Sequence, residues 1–438
     1  LLLMIPSASK DGVSVSFIDA LFVSASAGCV TGLTPVNTSE TWTLFGQIVI
    51  LVLIQIGGLG FITILTFIIS VFIKRLKFRD RLFLSKAINS TTVADVGKFA
   101  KRVVIIVLIA ELLGFLLGLP VFLNIPEYSI GQALWVSLFT SVSAFNNAGF
   151  DLFGSYSLIR IVENPIVYNL SEGLYIYMLI YIMLLIIIGG LSFFAIIDIC
   201  FLGKKPRQYT AFTKIVLSTT GILLVVGTVL FLLTETTRTG LSFINCLFQS
   251  VTCRTAGFAS FDQNTLTSAG KTVSCILMFI GGSPLSTAGG IKTTTLFIIV
   301  LSFIRFLQGR HIVAFKREYS RLSILKAMSL VFLSIFIVLI SFVAVRAFEE
   351  GNNAVIASVG EGNTLTENIF FEVFSAFGTV GLTAGITPFL TVGSKIVIIL
   401  LMFFGRLGPI TIFQIFEKNM EKEDDLHYKN IETDLLVG

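Results

Sequence analysis

Four stretches of the chain repeat one plan, and that repetition limits the possible fold more than any other feature. They read LFVSASAGCVTGL (Leu21–Leu33), LFTSVSAFNNAGF (Leu138–Phe150), LFQSVTCRTAGF (Leu247–Phe258) and FFEVFSAFGTVGL (Phe370–Leu382). Each is a short amphipathic run closed by one glycine: Gly32, Gly149, Gly257 and Gly381. The third copy is one residue shorter between its Phe and its Gly. A second glycine element follows inside the next apolar segment: Gly57-Gly58, Gly189-Gly190, Gly281-Gly282 and Gly405-Arg406. Self-similarity on two registered signals marks four copies of one structural unit.

A soluble chain of 438 residues would suggest two or three domains. Hydrophobic residues make up 55% of this one, charged residues only 13%, and mean hydropathy is +0.92. Apolar runs of about 20 residues recur, each long enough to cross a ~30 Å hydrocarbon layer. The expectation is an all-α, multi-pass protein of the lipid bilayer. The net charge of +5 is no nucleic-acid footprint, because the basic residues sit in short loops between spans. Such loops are expected on the cytoplasmic side. The cysteines (Cys29, Cys200, Cys246, Cys253, Cys275) form no CxxC pair, and His311 and His427 lie far from any acidic cluster, so neither a disulfide scaffold nor zinc is expected.

Taken in order, repeat one covers 1–80. It has a helix remnant (Leu1–Pro6), a short segment (Phe17–Gly28), a long helix (Thr41–Ile73) and a basic loop (Lys74–Arg81). Leu1–Pro6 reads as the tail of a helix whose start is missing. Repeat two, 81–205, places helices at Val103–Leu123 and Gly173–Phe201 around the short segment Gly131–Phe145. The basic loop Gly203–Lys214 joins it to repeat three, 206–312, which places Ile215–Leu233, Leu241–Cys253 and an interrupted Thr272–Leu307. Repeat four, 313–416, follows the basic stretch Arg305–Lys326 with Ala327–Phe348, an acidic loop Glu349–Glu367, Asn368–Phe377 and Ser394–Phe416. The charged tail 417–438 is expected in the cytoplasm.

A segment of roughly 12 residues makes a helix of about 18 Å, too short to span, so it must enter and leave on one face. Its irregular exit is tolerated at membrane depth only where it is buried in protein or lines water. Glycine there allows carbonyls to turn toward an axis. Four such exits around one axis would make rings of carbonyl oxygens, and each short helix would aim its negative C-terminal end at a cation. The polar neighbours Thr31, Asn146, Asn147, Thr255 and Thr379 suit a hydrated lining. A second irregular stretch, Gly281–Thr295 (GGSPLSTAGGIKTTT), cannot stay helical, and Pro284 removes a donor.

On the four single-glycine loops, the NNAGF and RTAGF stretches and the four helix–pore loop–helix units, the chain resembles the Trk/Ktr/HKT superfamily. The likeness is greatest to the membrane subunit of Ktr-type bacterial potassium uptake systems. The resemblance covers essentially the whole chain. It implies eight transmembrane helices and four pore helices, with one pore per chain on a pseudo-fourfold axis. It also implies a homodimer in the bacterial inner membrane, with a cytosolic ring of nucleotide-binding, RCK-type regulatory subunits docked on the basic loops and the tail. The transported ion would be potassium, with sodium dependence in many members and no cofactor on this chain. The filter would comprise Val30, Thr31 and Gly32; Asn146, Asn147, Ala148 and Gly149; Thr255, Ala256 and Gly257; and Thr379, Val380 and Gly381. Potassium would be held at this filter and no metal elsewhere. Cys29 and Cys253 depart from the Thr or Ser and Pro common in relatives, and read as small packing residues.

The irregular stretch looks like the family's intramembrane gating loop, with Gly281, Gly282, Ser283, Pro284, Ser286, Thr287, Gly289, Gly290 and Lys292. Arg406 stands where the other units have Gly58, Gly190 and Gly282. A guanidinium at that depth is expected to face a cavity, lining the pore near the loop as a barrier or latch. Lys292 either joins it or snorkels to the cytoplasm. Arg254 is expected to brace the third segment against an acid outside the pore, and Glu111 to make a structural hydrogen bond. A secondary transporter of an organic solute is the rival. It would show inverted two-fold repeats, whereas here every inter-unit loop is basic and the units run in parallel. An enzyme would need a nucleophile with a base, or paired acids, within the spans; only Glu111 and Asp198 are acidic there.

Overall fold

A computed structural model describes residues 1–60, 96–203, 206–360 and 364–408. It is built almost wholly of helices: α1 (Phe17–Cys29), α2 (Leu44–Leu59), α3 (Val96–Phe122), α4 (Ile130–Phe145), α5 (Glu172–Gly190), α6 (Phe193–Leu202) and α7 (Ala211–Glu235) come first. Then follow α8 (Phe243–Thr252), α9 (Ser268–Phe279), α10 (Thr293–Leu307), a two-residue hairpin β1–β2 (Val313–Ala314 with Arg317–Glu318), α11 (Arg321–Phe348), α12 (Leu365–Gly378) and α13 (Val392–Leu407).

The four short helices α1, α4, α8 and α12 begin alike. Ser16, Ser129, Ser242 and Thr364 each accept a hydrogen bond from the amide three residues on. At α4 and α12 the third residue, Gln132 or Glu367, returns the bond and completes a capping box. Ser, Thr and an acid or amide at this spacing satisfy amides that no earlier turn can reach, which fixes where each helix starts.

The inner elements close on themselves. α1 packs on α2 and α13, α2 on α4, α4 on α5, α5 on α8, α8 on α9, α9 on α12, and α12 on α13. α3 packs on α4 and α5, α7 on α8 and α9, and α11 on α12 and α13. Those three present apolar side chains outward, such as Leu108, Leu112 and Leu116 on α3 and Phe332, Phe336 and Val343 on α11. Among the described residues four helices are long and apolar enough to span a bilayer: α3 from Phe99, α5, α7 and α11.

Several expected boundaries shift. Leu1–Pro6 is not the tail of an α-helix but 3-10 turns at Leu2–Met4 and Pro6–Ala8. The helix expected over Thr41–Ile73 starts at Leu44 and stops at Leu59, where Gly60 takes φ +76°. The rest of that helix and the basic loop Lys74–Arg81 lie outside the described residues. Gly173–Phe201 is broken into α5 and α6. The Gly189 and Gly190 carbonyls accept Thr287 N (3.2 Å) and Ser283 N (3.1 Å) from another unit, while Phe193 N turns to Leu285 O (2.9 Å). Tertiary partners have replaced the helical ladder at that point. The interruption of the third unit runs over 280–292, and Thr293–Thr295 are already helical. Of the stretch Arg305–Lys326, Arg305 lies in α10 and Arg321 and Lys326 in α11, with the hairpin between. Glu349 is not a solvated loop acid: it is buried and accepts Thr391 N (2.9 Å) and Oγ1 (2.8 Å) at the start of α13. α13 ends at Leu407, and the remainder of Ser394–Phe416 and the tail lie outside the described residues.

Candidate functional site

The four glycines that close the repeated stretches meet one another. A methyl placed on Gly32 would lie 2.6 Å from the Ala148 carbonyl oxygen and 3.0 Å from Gly149 Cα. One on Gly149 would lie 2.9 Å from Ala256 O and from Gly257 Cα. One on Gly257 would lie 2.3 Å from Val380 O and 3.2 Å from Gly381 Cα, and one on Gly381 would lie 2.2 Å from Thr31 O and 3.0 Å from Gly32 Cα. The order is cyclic. In every segment the carbonyl involved belongs to the residue just before the glycine.

Backbone conformation explains how each segment leaves its helix. Val30, Asn147, Thr255 and Thr379 take φ of 58°, 58°, 74° and 49°, and the glycines two residues later take 97°, 69°, 79° and 96°. Two left-handed residues separated by one reverse the chain within three positions. For the β-branched Val30, Thr255 and Thr379 this costs about 1–3 kcal/mol each, which the surroundings must hold in place. A hydroxyl on each short helix does part of that work. Ser26 Oγ accepts Gly32 N (3.0 Å) and Ser375 Oγ accepts Gly381 N (3.1 Å). Ser143 Oγ donates to Phe150 O (2.5 Å) and Thr252 Oγ1 to Phe258 O (2.7 Å). Three of the second glycine elements then seat a helix against the end of a short one. Methyls on Gly57, Gly189 and Gly405 would lie 2.3, 1.8 and 1.9 Å from the carbonyls of Gly28, Phe145 and Phe377.

On one side of the ring lies a cavity of about 450 Å³ lined by all four glycines, with Asp151, Asp262 and Thr383 at its walls. Burial pushes the Asp151 carboxyl up to about 6, against the hydrogen bonds it accepts from Ser157 Oγ and Phe153 N. Among the described residues no three His, Cys, Asp or Glu side chains come together as metal ligands, so backbone oxygens are the donors available at the ring.

The loop 280–292 is wedged against the base of this arrangement. Gly289 abuts the Thr379 hydroxyl, and Thr287 Oγ1 donates to Gly189 O (2.9 Å) and Phe145 O (3.3 Å). Leu285 and Gly290 take positive φ. Lys292 does not snorkel: its ammonium donates to Ala288 O (2.7 Å) and Gly289 O (3.4 Å), folding back onto the loop. Arg406, on α13, donates to Thr287 O of the loop and to Gly57 O and Gly58 O at the end of α2. One guanidinium therefore ties three units together.

Not every expected lining residue faces the ring. Thr31, Asn146, Asn147, Thr255 and Thr379 are all fully buried. The Asn146 amide turns back to donate to Glu111 Oε1 (2.8 Å) and to Val142 O (2.9 Å). The Asn147 amide lies 3.1 Å from Ala144 O and 3.2 Å from Ile186 O, so its nitrogen faces those carbonyls. Arg254 is buried but has no carboxylate partner among the described residues. Sequence reasoning passed over Glu372, whose carboxylate binds the hydroxyls of Thr383 and Thr387 beyond the fourth glycine. It also passed over the ion pair Lys395–Asp19 at 2.7 Å, which pins α13 to α1.

The sequence matches the TrkH family, described as cation transport proteins, over residues 2–428. It is 37% identical to the potassium/sodium uptake protein NtpJ of Enterococcus hirae, covering all of this chain and 93% of that one. It is 37% identical to the Ktr system potassium uptake protein B of Bacillus subtilis, over 95% and 89% of the two chains. The crystal structure of the potassium transporter TrkH of Vibrio parahaemolyticus superposes with a TM-score of 0.66 at 18% identity, covering 92% of this chain and 78% of that one. That likeness establishes a common fold. With its long apolar helices, the chain is a multi-pass membrane protein and belongs to the TrkH family of cation transport proteins, as a Ktr/Trk-type membrane subunit.

Proposed function

We propose that the chain is the potassium-translocating subunit of a Ktr-type uptake system. Four helix–pore loop–helix units surround one pore in a pseudo-fourfold arrangement. A dehydrated monovalent cation exchanges its water for the carbonyls of Thr31, Ala148, Ala256 and Val380 and their neighbours. The loop 280–292, latched by Arg406, sets whether the ion passes. The single observation that carries this reading is the cyclic contact in which each glycine abuts the carbonyl preceding the next. Nothing larger than hydrogen fits at those four positions without displacing an oxygen, which is a reason for glycine beyond its permissive φ. The four short helices bring their C-terminal ends to the same place, and a helix C-terminus carries about half a negative charge.

The names of the relatives support potassium as cargo and sodium as an ion to test, and "Ktr system" supports a partner. The homodimer and the cytosolic nucleotide-binding ring belong to this proposal. Rubidium uptake into proteoliposomes holding the purified chain, driven by a potassium gradient and repeated across sodium concentrations, is the test. Uptake competed by potassium supports the reading; gradient-driven uptake of an organic solute with no rubidium flux overturns it.

A further inference from the structure

Behind the second segment lies a buried carboxylate that conduction through the ring does not itself require. Glu111 is 6% exposed, in the middle of α3, where its neighbours from Val103 to Leu119 are apolar or glycine. Its Oε1 accepts Asn146 Nδ2 (2.8 Å) and its Oε2 accepts Gln55 Nε2 (3.2 Å). The same Asn146 nitrogen lies 3.3 Å from Gln55 Oε1 and 2.9 Å from Val142 O. Among the described residues no lysine or arginine pairs with Glu111. Three elements thus meet at one acid: α2 through Gln55, α3 itself, and the end of α4 through Asn146.

Asn146 caps α4, and the next three residues are the left-handed Asn147, Ala148 with its ring carbonyl, and Gly149. Holding the Asn146 side chain therefore holds the root of the second segment. The other three segments lack the device. The positions three before the ring glycines are Cys29, Asn146, Arg254 and Gly378, and only Asn146 bonds a carboxylate. Asn146 also packs on Gly58, whose carbonyl accepts Arg406, so a shift of its amide would be felt at the latch. An acid without a counter-charge in an apolar span is costly, and the cost is offset only if its amide donors are fixed.

We propose that Glu111 is a positioning residue for ion discrimination: by fixing Asn146 against α2 and α3 it keeps the second carbonyl of the ring from following a smaller cation inward. The inference rests on reading the ring as the selectivity filter. It can be tested by donor–acceptor logic. In Glu111→Gln one oxygen becomes an NH2 that faces another NH2. Flipping Gln55 only moves the clash to Asn146. Exchanging the pair, Glu111→Gln with Gln55→Glu, restores one N–H···O between positions 55 and 111 and an oxygen facing Asn146.

The assay is rubidium against sodium uptake in proteoliposomes, with Gly149→Ser measured in parallel. Glu111→Gln is expected to lower rubidium-over-sodium discrimination about tenfold. The exchange should restore it to within about twofold, because positions 55 and 111 are in contact and their changes couple rather than add. If Glu111→Gln is not monodisperse after purification, Gln55→Met removes the same donor from the other side and should give the same loss. Gly149→Ser losing discrimination while Glu111→Gln or Gln55→Met keeps it overturns this inference alone. A loss that the exchange does not restore overturns it as well. Gly149→Ser leaving discrimination intact overturns the filter reading, and this inference with it.

Discussion

Gly257→Ser puts the ring geometry under the most direct chemical load. Gly257 has φ +79°, where a side chain costs about 1–2 kcal/mol. Its Cβ would start 2.3 Å from the Val380 carbonyl oxygen, where ordinary contact begins at 3.4 Å, so one of the two must move by about 1 Å. Both segments are held by a hydroxyl, the third by Thr252 Oγ1 on Phe258 O (2.7 Å) and the fourth by Ser375 Oγ on Gly381 N (3.1 Å), so whichever yields, the carbonyl beside its glycine, Ala256 or Val380, swings away from the axis. Losing one carbonyl from a bound cation is comparable to losing a hydrogen bond to a charged group, about 1.5–3 kcal/mol, or a tenfold to hundredfold weaker hold on potassium. Sodium, poorly matched to begin with, loses less, so potassium-over-sodium discrimination should fall about tenfold or more. The measurement is paired rubidium and sodium flux in proteoliposomes. The control is Gly221→Ser, at an exposed site on α7 with open space around it. Unchanged discrimination in a Gly257→Ser protein as well folded as the control would refute the reasoning.

Arg406→Ala removes the donors to Thr287 O and Gly57 O, and should raise rubidium flux several-fold; flux at or below that of the parent would count against a latch. Lys395→Met leaves Asp19 unpaired between α1 and α13, where both side chains are mostly buried, and should cost about 2–4 kcal/mol in detergent denaturation; an unchanged midpoint would remove the ion pair from the account. Asp151 is raised from 3.8 to about 6 in the fold, so it loses its charge as pH falls through 6, and uptake from dilute potassium should drop in that window. Asp151→Asn should flatten the profile. Because ionisation is the disfavoured state of this group in the fold, the same variant should gain stability above pH 6, and a loss there would contradict the sign.

Much of this arrangement could be read from the chain because it depends on local spacing. The short helices were legible as segments too brief to span, and their ends fall within a few residues of the expected limits. Two further local signals were present and passed over. The Ser or Thr caps with Asp19, Gln132, Asn245 and Glu367 three residues on, and the hydroxyls Ser26, Ser143, Thr252 and Ser375 before the glycines, mark both ends of each helix. Direction was not legible. A polar residue beside a ring glycine suggests lining, yet Asn146 turns away to a partner, Glu111, that is 35 residues distant in sequence. The break between α5 and α6 has Gly189-Gly190 and Ser192 as local warning, in a segment otherwise apolar as far as Asp198, and it is made by amides of the third unit's loop. Arg406 was expected near that loop, but its bonds cross 119 and 349 residues, and no periodicity reports which carbonyls a guanidinium will reach.

The central claim is that backbone oxygens at the meeting point of the four glycines hold the permeant ion. Crystals of the protein grown in thallium or rubidium and measured at the absorption edge of that ion would test it directly. The expected result is an anomalous peak on the axis between the carbonyls of Thr31, Ala148, Ala256 and Val380, lost when sodium replaces the heavy ion. Well-ordered density for those four carbonyls with no peak between them, and peaks only elsewhere, would contradict the account.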